Sequence, residues 1–139
     1  MASSTSNDLK LELMTTGEKS GTWGTITNTN LQILEQAASG YISLDVGSGD
    51  VALSLANHAT ANGKNLYYKL TGTLAANRTV TMPDGAERVF IVEDATTRSS
   101  SNYTLTVKTV SGTGLTLPIG PLIPEPDVLI NTWSPFTVV

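Results

Sequence analysis

The chain of 139 residues predicts a mainly β fold: a β-sandwich or jelly-roll-like domain of about eight strands, with one short helix near the N-terminus. Three observations lead there. Runs of four to eight residues alternate apolar and polar along most of the chain, which is the period of a half-buried strand. Thr and Ser are abundant, at 21 and 13 residues, and Thr suits a pleated, partly buried surface. Only one stretch carries a helical pattern.

That stretch lies near residues 29–39. Thr29 with Gln32 has the spacing of a capping box. Leu31, Leu34 and Ala38 follow at i, i+3 and i+7, and Ile33 and Ala37 widen the face. Gly40 suits the position after a helix end, where φ is often positive. Just upstream, Trp23 sits between Gly21-Thr22 and Gly24. It reads either as a core plug beside a turn or as a contact between subunits.

The remaining elements follow in order. Residues 1–8 are small and polar and are expected to be flexible. Leu9, Leu11 and Leu13 alternate with Lys10 and Glu12 and predict a short strand. Ile42–Val46 and Val51–Leu55 predict a hairpin around Gly47-Ser48-Gly49. Leu66–Leu70, Arg78–Met82, Tyr103–Val110 and Leu115–Leu117 predict further strands, and Val89–Val92, apolar throughout, the most central one. Tyr68-x-Leu70-Thr71 and Tyr103-x-Leu105-Thr106 echo each other at 35 residues, which strand composition alone accounts for. A β-rich domain is therefore expected over 9–117. From Pro118 the composition changes. Prolines at 118, 121, 124 and 126 predict an extended arm over 118–139 rather than an inner strand. The arm carries Leu129, Trp133 and Phe136, which either pack back on their own domain or meet a neighbouring subunit.

The runs Ser6-Asn7-Asp8-Leu9-Lys10-Leu11-Glu12-Leu13, Gly17-Glu18-Lys19-Ser20-Gly21-Thr22-Trp23-Gly24 and Thr27-Asn28-Thr29-Asn30-Leu31 resemble the N-terminal region of tail-fibre-like virion proteins of tailed bacteriophages, marine podoviruses especially. The likeness extends over residues 6–117, through Leu70-Thr71-Gly72 and Gly112-Thr113-Gly114, and fades after Pro118. It implies a non-enzymatic structural protein, a homotrimeric attachment module whose partners are other virion proteins of the tail or capsid. The chain is short for a whole fibre, so a capsid decoration (cement) protein is the alternative within that class. A carbohydrate-binding receptor module, with a host surface glycan as partner, is the alternative outside it. Candidate contact residues are Trp23, Leu31, Leu34, Leu129, Trp133 and Phe136.

Composition narrows the remaining classes. The net charge is −4 and no basic run is present, which argues against a nucleic-acid partner. No apolar run approaches the roughly 20 residues of a membrane helix. The N-terminus lacks a signal-peptide core, so a cytoplasmic product that reaches the virion by assembly is expected. With no cysteine there are no disulfides and no Cys-based metal site.

The sequence offers few residues arranged for chemistry. His58 is the single histidine, in an Asn/Ala/Gly loop with no nucleophile motif near it. Asp45 and Asp50 flank glycines and could hold Ca²⁺ through oxygen, but a turn explains them as well. Glu93 and Asp94, with Asp84 or Glu87, could supply a glycosidase carboxylate pair, yet neighbours on a strand face opposite ways. The expectation is no catalytic residue, no metal and no cofactor. Tyr67 and Tyr68 also face opposite ways, so one of them can reach solvent and stack on a sugar.

Overall fold

The computed structural model describes residues 3–100, 102–118 and 137–138. It is β-rich with one helix. The strands are β1 (Ser4–Thr5), β2 (Glu12–Leu13), β3 (Tyr41–Asp45), β4 (Val51–Ala52), β5 (Tyr67–Thr71), β6 (Thr73–Leu74), β7 (Arg78–Met82), β8 (Ile91–Asp94), β9 (Thr97–Arg98), β10 (Leu105–Thr109), β11 (Leu115–Leu117) and β12 (Thr137–Val138). The helix α1 spans Trp23–Ser39.

The ladders differ from those of a jelly roll, which are antiparallel. β3, β5 and β8 pair in parallel, as do β4, β7 and β10, and as do β6 and β9. The chain winds through three turns: β3–β4, then β5–β6–β7, then β8–β9–β10. Each turn lays its strands on those of the turn before. Tyr41, Tyr67 and Ile91 stack at spacings of 26 and 24 residues, and Val51, Val80 and Val107 at 29 and 27. Parallel neighbours need a long crossover, and here the rest of the turn supplies it. Antiparallel pairing is confined to the edges: β11 on β10, β12 on β8, and the small β1–β2 pair.

The expected hairpin around Gly47-Ser48-Gly49 is therefore a corner. β3 and β4 lie in different sheets. Val46 N donates to Thr71 O, and Asp45 Oδ1 accepts from Gly47 N, which folds the chain from one sheet to the next. Gly72 stacks on this corner at φ +104°, and a Cβ there would stand 2.7 Å from Gly47 N. Only glycine fits this approach of two turns.

Alternation within each turn fills a single core. Tyr68 and Leu70 from β5, Leu74 from β6, Val80 and Met82 from β7, and Leu105 and Val107 from β10 all point inward, with Val46, Leu53, Phe90, Val92 and Leu117. The third turn breaks the pattern at two places. Asp94 stacks on Leu70 and Arg98 on Leu74. Arg98 is 4% exposed, and its Nη2 donates to Asp94 Oδ2 at 2.7 Å while its Nε donates to Tyr103 O. Asp94 Oδ1 also accepts from Thr96 N and Oγ1. A hydrogen-bonded ion pair thus ends the apolar stack on the outermost turn, with its polar atoms satisfied.

Other boundaries move for local reasons. The helix starts six residues before Thr29, whose Oγ1 donates back to Thr25 O inside the helix and caps nothing. Thr22 is the residue before the first helical one, and Gly40 is extended rather than left-handed. The Leu9–Leu13 strand shrinks to β2 because Lys10 takes φ +57°. Val89 is exposed, and its strand runs Ile91–Asp94 instead. Part of the expected flexible segment is fixed: β1 pairs with β2, and Asp8 Oδ1 accepts from Glu87 N. The 35-residue echo has no structural counterpart, since Tyr68 stacks on Ile42 and Val92 rather than matching Tyr103.

Candidate association face

Helix α1 carries residues at about 100° intervals and divides into three arcs. Ile26, Asn30, Ile33, Gln36 and Ala37 form the inner arc, in which Ile33 is fully buried. Thr25, Asn28, Gln32, Glu35 and Ser39 form a polar arc on the outside. Between them runs a stripe of Trp23, Thr27, Leu31, Leu34 and Ala38, about 80° wide on the same geometry. Trp23 is 63% exposed, Leu31 56% and Leu34 42%. Of the face predicted to enter the core, Leu31, Leu34 and Ala38 are left bare, while Ile33 is fully buried and Ala37 half-buried as predicted. Trp23 plugs no core.

The inner arc docks through amides more than through hydrocarbon. Asn30 Nδ2 donates to Glu12 O at 2.9 Å, and Asn30 Oδ1 accepts from Glu12 N at 3.0 Å. Gln36 Nε2 donates to Ala61 O at 2.9 Å, and its Oε1 accepts from Ala61 N. Each amide satisfies both backbone groups of one residue, as a neighbouring strand would. The helix thus holds β2 at one end and the loop before a 3-10 turn, Asn62–Lys64, at the other. That loop is itself tied from inside. The fully buried Lys64 donates through Nζ to Ala56 O and Ala59 O, and Arg88 donates to Gly63 O and Asn65 O. Burial, followed by the charges of Arg88 and Lys10, holds the Lys64 ammonium below its ordinary pKa.

Beyond the helix, the outer face of the β3–β5–β8 sheet carries an aromatic pair. The rings of Tyr41 and Tyr67 stack with centroids 5.4 Å apart, and Tyr41 is exposed. Tyr67 Oη donates to Glu93 Oε2 at 2.6 Å, and Lys69 Nζ lies 3.3 Å from Glu93 Oε1. The Tyr67 hydrogen bond is the main cause that holds Glu93 below the ordinary carboxylate range, and the same bond pushes Tyr67 up to about 12. Glu93 and Asp94 have separate partners on opposite faces of β8, so they form no catalytic pair. Tyr68, facing inward, meets Phe90 edge-on at 5.6 Å.

The other candidates are absorbed into structure. His58 Nε2 pairs with Thr5 Oγ1 at 2.8 Å, Nδ1 lies 3.9 Å from Glu12 Oε2, and the backbone N donates to Lys10 O. The ring ties β1 and β2 to the loop after β4. Asp45 and Asp50 turn to different donors, Gly47 N and Thr79 N. Among the described residues no three His, Asp or Glu side chains are grouped as a metal would need, and no helix is long and apolar enough to cross a membrane. Leu129, Trp133 and Phe136 lie outside the described residues. The amide clamps and Tyr41 escaped the sequence reading. The one sequence signal for Tyr41 over Tyr67 is the match of Tyr41-x-x-Leu44 to Tyr67-x-x-Leu70, which the third turn does not share. The chain matches no family model, no curated protein and no solved structure.

Proposed function

We propose that this chain is a non-enzymatic structural protein of a tailed-bacteriophage virion, a tail-fibre-like attachment module that assembles as a homotrimer through the bare stripe of α1. The observation that carries the reading is that stripe. Thr27, Leu31, Leu34 and Ala38 repeat at intervals of four, three and four, the a/d spacing by which identical helices pack. The one charged residue of the helix, Glu35, lies on the polar arc, so copies meet without like-charge repulsion at the seam. Trp23 extends the seam by a large aromatic, the residue type that dominates interface energetics. The resemblance of residues 17–31 to phage fibre proteins runs into the first half of the same helix. A short parallel coil with Thr-rich outer faces also suits a particle component, because turns can stack without enlarging the core.

Sedimentation equilibrium at micromolar concentration is expected to give three times the 14.6 kDa chain mass. Leu31→Glu with Leu34→Glu should give a folded monomer, because both side chains are exposed within one chain. A monomeric wild type defeats the reading. Imaging of particles with and without the protein then separates a tail position from that of a capsid cement.

A second reading, a carbohydrate-binding face, draws on one specific observation. The exposed ring of Tyr41, stacked on Tyr67, offers a platform for a sugar ring, and Glu93 and Lys69 stand nearby as hydrogen-bonding partners. Titration of oligosaccharides against tyrosine fluorescence, with Tyr41→Ala as control, tests it. No response from the wild type removes it.

A further inference from the structure

A second apolar surface involves no residue of α1. A groove of about 420 Å³ opens between the 82–90 connection and the β10–β11 hairpin, walled by Met82, Phe90, Val107 and Leu115. Two cations, Arg88 and Lys108, also line it, and among the described residues no acidic one does. We propose that this groove binds a single-chain amphiphile with an anionic head, a carboxylate or a phosphate. Its aliphatic tail lies on the apolar wall, and its head meets Arg88 and Lys108.

Three observations carry that ligand class. The first is shape. The groove has the size of a small-molecule site and the usual make-up of one, an apolar wall with a few polar groups. Asp84 and Ser111, next to the lining residues Pro83 and Gly112, join the two walls: Asp84 Oδ1 accepts from Ser111 N at 3.2 Å and from Ser111 Oγ at 3.0 Å. The walls are thus held before any ligand arrives. The second is charge. Arg88 donates through both terminal nitrogens to Gly63 O and Asn65 O, which fixes its direction and leaves its charge uncompensated, because both acceptors are neutral. The fully buried Lys64, beside Gly63, likewise donates only to the carbonyls of Ala56 and Ala59. Among the described residues no carboxylate forms an ion pair with Arg88, Lys64 or Lys108. Cations on low-dielectric walls without a counter-ion focus a positive field into the groove, and a carboxylate or phosphate head answers it with charge-assisted hydrogen bonds. The third concerns the strand beneath. β10, which supplies Val107 and Lys108, is paired on both edges by β7 and β11, so it offers an extended peptide no ladder to join. Side chains alone face the ligand there, which suits an aliphatic chain.

This site goes beyond the trimer reading and does not rest on it. Full-length protein labelled with carbon-13 at the methionine methyls reports it directly. Met82 is on the groove wall, whereas Met14 is exposed elsewhere and serves as the control. At pH 7 octanoate and octyl phosphate are both charged. Each, below its micelle concentration, should move the Met82 methyl signal saturably and leave Met14 still, and their relative strengths identify the preferred head. Octanol, which has the tail without the charge, should bind about tenfold more weakly. Lys108→Gln should weaken octanoate by a similar factor. Leu115→Glu, at an exposed wall position, should abolish binding by placing a carboxylate beside the head. Arg88 is left in place because it also holds Gly63 and Asn65. No saturable Met82 shift with either anion would overturn the proposal. So would octanol binding as tightly as octanoate, or unchanged binding in Lys108→Gln, since the charge would then play no part. Equal movement of Met14 and Met82 would mean detergent-like association and would overturn it too. A chain that binds octanoate at Met82 but sediments as a monomer would sustain the site while defeating the trimer reading.

Discussion

The helix and the coil are held by different physics. Inside the coil, side chains from every turn meet in one hydrocarbon core. The helix contributes one fully buried residue, Ile33, and otherwise grips the domain through the amides of Asn30 and Gln36. A hydrogen bond contributes about 0.5–1.5 kcal/mol net, while a buried Leu or Phe contributes about 1.5–3 kcal/mol. The coil should therefore set the stability of the chain. The helix keeps its apolar stripe for something else, because amide anchoring leaves that stripe uncovered.

The sharpest way to break this contrast is a pair of leucines. Leu70→Ala empties a fully buried site in the middle turn and should cost about 2–5 kcal/mol in a denaturant melt. Leu34→Ala should change the melt of the monomer by less than about 0.5 kcal/mol, as exposed positions do, and weaken self-association instead. Equal losses at both sites, measured in the monomeric background, would show that the stripe is core after all.

A smaller effect is expected at the amide clamp. Asn30→Ala leaves the N–H and C=O of Glu12 without their side-chain partners, at a cost of about 1–3 kcal/mol if water does not replace them. Amide exchange should quicken around β1 and β2 and stay unchanged in β5 and β7. Uniform quickening throughout would mean that the helix is an integral part of the coil's core.

The smallest effect concerns the outer tyrosine patch and is read by pH. Glu93 is held below its ordinary value of 4.5, chiefly by the Tyr67 hydroxyl, so its contribution is complete above that value and is lost as pH falls through the lower folded value. Tyr67 moves the opposite way, from 10 to about 12, so its contribution is present below pH 10 and is lost as pH rises towards 12. Tyr67→Phe should flatten both limbs of the stability profile and remove one late tyrosinate transition from the ultraviolet titration. Unaltered limbs would show that the hydrogen bond does not persist in solution.

Alternation alone placed most strands. Arg78–Met82 and Leu115–Leu117 fall where the sequence predicts them, because an apolar–polar period of two has one local solution. The small-residue corner at Gly47 was legible as a turn, since glycine is the residue that tolerates close backbone approach. The partner of each strand was not legible. Gly47-Ser48-Gly49 serves equally for a hairpin or a corner, and only the next turn, arriving at Tyr67, decides that β3 pairs in parallel. The repeat that would have announced this survives as position rather than identity: Ile42, Tyr68 and Val92 share a site and no side chain. The helix face was misread for a related reason. Leu31 and Leu34 are more apolar than Asn30 and Gln36, and periodicity assigns the greasier arc to the core. Two carboxamides inward instead became possible only because Glu12 and Ala61 present free backbone pairs there, a fact of tertiary placement. Sequence determined where most of the longer strands and the C-terminal part of the helix lie, since those preferences are local. Tertiary structure decided what each element faces, since that depends on backbone groups brought from far along the chain.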